Sequence, residues 1–147
     1  MKSVKSILAS IWIVRILLCI LLLSIFAIPF LAQCYNYLVN TSENISDVIS
    51  IGLYALWLPA IIVLALLHKI LMNIKKGVIF EKTNIDYLTI ICLGLFLVGI
   101  ISLIISLVSV PFAFVSLAFV FVGIILLVVR NVFKYAIEIK EENDFTI

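Results

Sequence analysis

From Tyr87 to Val129 the chain runs 43 residues without a charged side chain, broken near the middle by Pro111. Few soluble folds can accommodate such a stretch. A bilayer core about 30 Å thick is crossed by roughly 20 apolar helical residues, so the run is long enough to cross twice. Backbone N–H and C=O groups at that depth must bond within their own segment, which predicts two helices, about 87–110 and 112–129. Two earlier apolar stretches, about 11–32 and 48–67, complete four spans. The fold class is therefore all-α: a polytopic membrane protein organised as a single membrane domain over residues 1–147.

Composition agrees, with 66% hydrophobic and 12% charged residues and a mean hydropathy of +1.40. The spans leave no room for a separate soluble domain, and a net charge of +2 argues against direct nucleic-acid binding. Lys2 and Lys5 before an apolar run, with Leu31-Ala32-Gln33-Cys34 after it, loosely resemble a lipoprotein signal. The apolar segment exceeds the roughly 7–15 residues of a signal core, and Gln33 stands where a small residue belongs, so a retained helix is expected. Pro29 and Pro59 fall inside the first two spans, where each removes a helical hydrogen bond and favours a kink.

Orientation follows from the basic residues. Lys2, Lys5 and Arg15 precede or open the first span; Lys69, Lys75, Lys76 and Lys82 lie between the second and third; Arg130, Lys134 and Lys140 follow the fourth. These are all the Lys and Arg of the chain. Positive charge is retained in the cytoplasm, so both termini, the 68–86 loop and the 130–147 tail are expected there. Trp12, Tyr87 and Tyr135 near the inner boundary, and Tyr35 and Tyr37 near the outer one, suit the same arrangement. Gly99, Ser102, Ser106 and Ser109 recur at 3, 4 and 3 residues, and Ala113, Ser116 and Gly123 continue the phase beyond the turn. Small residues on one helical stripe permit close approach, so the last two spans are expected to pack through them.

Catalytic chemistry has no obvious seat. No ionisable group lies in the middle of any span, where one would mark a proton or ion path. His68 is the only histidine, and Cys19, Cys34 and Cys92 show no metal-ligand spacing, so neither metal nor cofactor is expected. The intramembrane serines have no Lys or His at matching depth to activate them. The sequons Asn40-Thr41-Ser42 and Asn44-Ile45-Ser46 read as a solvated outer loop, with Ser46 or Asp47 starting the second span.

Two basic-side segments carry more specific patterns. In the 68–86 loop, the second span continues to about Lys76, Gly77 suits the left-handed residue that ends a helix, and Thr83 or Asn84 is placed to cap the next. Phe80 between them needs cover from the bilayer face or a partner. In the tail, Lys134 and Glu138 are four apart and can pair. Val132, Phe133, Ala136, Ile137 and Ile139 require lipid, loop or protein against them. Glu141, Glu142 and Asp144 then form an acidic patch around Asn143, followed by Phe145, Thr146 and Ile147, an odd ending for a merely solvated segment.

The pattern Gly77-x-x-Phe80-x-x-x-Asn84 and the ending Lys140-Glu141-Glu142-Asn143-Asp144-Phe145-Thr146-Ile147 resemble the bacterial domain-of-unknown-function 2975 family of small four-span membrane proteins. Members often carry basic residues after the asparagine, where this chain has Asp86, Tyr87 and Thr89. The resemblance implies a bacterial inner-membrane location and no enzyme. It also implies a genomic association with small Cro/CI-like helix-turn-helix regulators. A regulatory or interaction role is then expected, with Gly77, Phe80, Asn84 and the 141–147 tail binding such a regulator and the acidic patch opposing its basic side chains. The alternative is a small permease, immunity or membrane-stress protein acting through its helix bundle, as a monomer or a homo-oligomer.

Overall fold

The computed structural model describes residues 2–39 and 45–144, all of their regular structure helical: α1 (Lys2–Ser24), α2 (Ile28–Val39), α3 (Ser46–Lys75), α4 (Lys82–Ile105) and α5 (Pro111–Asp144). Four of these, α1, α3, α4 and α5, are long and apolar enough to cross a membrane. The sequons at Asn40 and Asn44 and the terminal Phe145, Thr146 and Ile147 fall on or overlap residues outside the described ones.

α3 and α5 outrun the spans read from hydropathy, because apolar composition marks the hydrocarbon and a helix need not end where the hydrocarbon does. At 1.5 Å per residue, the 30 residues of α3 measure about 45 Å and the 34 of α5 about 51 Å, against a core of about 30 Å. The first span, by contrast, is divided. α1 stops at Ser24, residues 25–27 form a turn, and α2 starts one residue before Pro29. Proline has no N–H to continue the ladder but fits a helix's first turn. The break exposes the Leu21 carbonyl, which accepts hydrogen bonds from the Trp57 indole N–H at 2.8 Å and the Ser24 hydroxyl at 2.6 Å. In lipid no water would be there to take over that role.

α4 is the centre of the bundle, packed between α3 and α5, while α1 and α2 pack mainly on α3. Its buried positions are Asn84, Ile91, Val98 and Ile105, every seventh residue, interleaved with Leu88, Leu95 and Ser102, and with Ile85, Cys92 and Gly99 alongside. That repeat turns one seam toward α3 and α5 along the full helix, the pattern of a left-handed bundle. The opposite faces of the helices expose Leu, Ile, Val and Phe in quantity, as lipid contact requires.

The α4–α5 hairpin departs from expectation in one respect. α4 ends at Ile105, and the turn occupies residues 106–110, with Pro111 as the first residue of α5 rather than the apex. Ser106 and Ser109 therefore belong to the turn and not to a helical stripe. Ser106 donates to the Leu103 carbonyl, and the buried Ser109 hydroxyl pairs with Tyr35 of α2 at 2.5 Å. The helical part of the pattern makes close contact: a Cβ on Gly99 would lie 2.8 Å from Val120 Cγ2, and Ser116 donates to the Gly99 carbonyl at 2.7 Å. Gly123 faces Phe96 and Leu95, Ser102 is fully buried, and Ala113 is half-buried.

Candidate functional site

The α3–α4 connection and the end of α5 meet at one end of the bundle, and the polar chemistry gathers there. α3 closes with Lys76 as its last half-turn. The Gly77 N–H then bonds the Ile74 carbonyl, and the Val78 N–H bonds the Asn73 carbonyl, both at 3.0 Å. This double closure needs a left-handed residue between the two helices, and Gly77 supplies it with φ +81°. A Cβ there would meet nothing within 4 Å, so the demand for glycine is conformational alone.

Thr83 and Asn84 do not cap α4, contrary to the sequence expectation. Extended Glu81 holds the cap position without a side-chain bond, and α4 starts at Lys82. Asn84 instead turns back on the loop. Its amide nitrogen donates to the Val78 and Ile79 carbonyls at 3.0 and 2.9 Å, and its oxygen accepts from the Asn73 amide at 2.8 Å. At 1% exposure it is a buried clasp that satisfies two loop carbonyls no helix could satisfy. Gly77 and Asn84 thus shape the loop from its two ends, while Phe80 at its tip reaches across to Phe133 of α5, with ring centroids 5.6 Å apart.

The tail helix is fixed to this loop on one side only. Phe133 and buried Ile137 face the bundle, and Glu141 pairs with Lys82 at 2.9 Å. Val132, Tyr135 and Ile139, spaced 3 and 4 apart, point outward at 62%, 66% and 43% exposure. Sequence reasoning grouped the apolar tail residues together without separating these two faces, and left Tyr135 as an interfacial marker. Glu142 and Asn143 are exposed, Asp144 is the last residue of α5, and the remainder of the predicted tail motif lies outside the described residues.

Between α4 and α5, just below the Lys82–Glu141 bridge, opens a cleft of about 450 Å³. Asp86, Arg130, Lys134 and Glu138 line it beside Ile85 and Ile137. Arg130 is held by its Nε donating to the Thr89 hydroxyl at 3.1 Å, and that hydroxyl in turn donates to the Ile85 carbonyl at 2.8 Å. Lys134 and Glu138 stand 3.9 Å apart, at the limit of an ion pair. Residue spacing does not reveal this cleft, because its members come from positions up to 59 residues apart in sequence, 82 to 141. Among the described residues no three His, Cys, Asp or Glu side chains converge as metal ligands would.

Residues 30–147 fit the family model described as "Protein of unknown function (DUF2975)". No curated protein and no solved structure matches.

Proposed function

The chain belongs to that DUF2975 family, and we propose that it is a non-enzymatic docking protein of the bacterial inner membrane. In this reading the loop and tail are cytoplasmic, as the basic residues favour, and they bind a small helix-turn-helix regulator. The observation that carries the proposal is the outward stripe Val132, Tyr135 and Ile139. It lies on the part of α5 that continues past Arg130, the first charge after the uncharged run, and the inward side of the same helix is already packed on the bundle. A helix held rigidly along one face while presenting an i, i+3, i+7 apolar face is a ready-made groove ligand. From Glu138 to Asp144 there are four carboxylates and one lysine, which favours a basic partner.

The test is capture from native membranes in mild detergent with an N-terminal tag. The wild-type chain is expected to retain a small DNA-binding protein, and Val132→Asp with Ile139→Asp to lose it, while Lys82→Gln, away from the stripe, keeps it. Identical capture by all three refutes the docking role. A second reading, transport or protection through the bundle, has one observation in its favour: the Ser102 hydroxyl is 0% exposed and, among the described residues, without a hydrogen-bond partner. Such an activity would survive the tail substitutions and fail with Ser102→Leu and Ser106→Leu.

A further inference from the structure

The cleft between α4 and α5 sits at a definite depth. Asp86 and Arg130 are the charged residues that bound the 43-residue uncharged run, so both mark the level where hydrocarbon gives way to headgroups. Its charges are balanced, three cations (Lys82, Arg130, Lys134) against three carboxylates (Asp86, Glu138, Glu141). Lys82 and Glu141 take each other at 2.9 Å. What remains is Arg130 and Lys134 with Asp86 and Glu138; among the described residues these are joined by the loose 3.9 Å contact between Lys134 and Glu138, with no ion pair to Asp86.

We propose that this cleft binds the headgroup of a zwitterionic aminophospholipid, a phosphodiester carrying a primary ammonium on a short arm. A site for a simple anion would carry surplus positive charge, and a site for a cation surplus negative. Two cations and two carboxylates, joined to each other by nothing closer than the 3.9 Å Lys134–Glu138 pair, fit a group that bears both charges. Arg130 takes the phosphate: its Nε is fixed by Thr89 and its Nη1 by the Asn131 amide oxygen at 3.0 Å, a local acceptor the phosphate would compete with, so the planar fork is oriented in advance. Lys134 adds a second donor, and the positive end of α4 lies on the same side. Asp86 and Glu138 accept from the ammonium, and Ile85 and Ile137 supply an apolar wall for the glycerol end of the lipid.

The experiment is native mass spectrometry of the full chain released from detergent, with ethanolamine, choline and glycerol phospholipids of identical acyl chains offered at equal concentration. The ethanolamine lipid is expected to be retained several-fold over the choline lipid, whose trimethylated nitrogen cannot donate, and over the anionic glycerol lipid. Arg130→Gln is expected to reduce retention of every lipid about tenfold, the scale of a lost charge-assisted hydrogen bond. Lys134→Gln changes an exposed side chain and leaves the bundle intact, and it is expected to weaken all three less. Asp86→Asn should abolish the preference for ethanolamine over glycerol while the phosphate remains bound. Equal retention of the three lipids by the wild-type chain overturns the proposal, as do wild-type profiles from Lys134→Gln and Asp86→Asn. Soluble phosphoethanolamine separates the sources: a bound lipid should stay in place at millimolar concentrations, and ready displacement would assign the cleft to a soluble phosphoester instead.

Discussion

Replacing Asn84 with alanine should free the α3–α4 loop without dismantling the spans. The side chain makes three hydrogen bonds, two donated to Val78 and Ile79 and one accepted from Asn73, in a site of 1% exposure. A net hydrogen bond stabilises by about 1 kcal/mol, so losing three costs about 3 kcal/mol. The loss falls on the loop, because the helices on either side are held by apolar packing and by their own backbone bonds. When opening is fast relative to cleavage, proteolysis tracks the open population, and about 3 kcal/mol raises that population roughly a hundredfold. Lys75, Lys76 and Lys82 flank the loop and are exposed, so trypsin reads the change directly in detergent-purified protein. Asn73→Ala removes one of the three bonds, about 1 kcal/mol, and should accelerate cleavage only about fivefold. Asn84→Asp keeps the acceptor but sets a carboxylate against two carbonyls, and should match or exceed Asn84→Ala. A change of less than about threefold for Asn84→Ala, or an equal effect of Asn73→Ala, would refute the clasp as what holds the loop.

Other perturbations follow from the packing. Gly99→Ala would force a methyl to within 2.8 Å of Val120 Cγ2, on a stiff β-branched side chain, and should destabilise the α4–α5 hairpin by about 1–3 kcal/mol in a thermal melt. Gly123→Ala, whose Cβ would stand 3.3 Å from the Phe96 ring edge, should cost less in the same melt. Trp57→Phe removes the indole donor to the Leu21 carbonyl at the α1–α2 break. It should lower stability by about 1 kcal/mol, and more when combined with Ser24→Ala, because the carbonyl then loses both donors. Reversing the Lys82–Glu141 pair singly should shift the melting point by less than about 1 kcal/mol would, since both side chains are about half exposed or more; a larger effect, or one insensitive to salt, would show a tighter clasp than the geometry describes.

How much was legible in the sequence divides along a physical line. Four spans and the α4–α5 hairpin were legible because each depends on where charge is absent over a length set by the bilayer, a one-dimensional property. Gly77 was legible too, since a left-handed residue at a helix end is a local demand. Asn84 was misassigned because capping is the local use of an asparagine near a helix start. Its actual bonds reach back to Val78, Ile79 and Asn73 across a fold of the chain that no spacing rule describes. α4 poses the same difficulty at larger scale. It is apolar on every side, so no periodicity shows that the 84-91-98-105 row faces inward.

The candidate site falls on the illegible side of that line, and the reason bears on its function. Arg130 and Asp86 each look, in sequence, like a boundary marker at the edge of a span. Only the antiparallel packing of α4 on α5, set by Gly99 and Ser116 near the opposite end of the hairpin, brings residues 86 and 130 to the same level and gives their charges a shared cleft. The register of that packing also decides where α5 leaves the bundle, and hence which of its residues, Phe133 and Ile137 or Val132, Tyr135 and Ile139, are left for another molecule to cover. A lipid headgroup in the cleft would contact Lys134 and Glu138, both within one turn of that outward stripe. The two surfaces therefore share one helix, and a change in headgroup occupancy would be felt where the tail meets its partner.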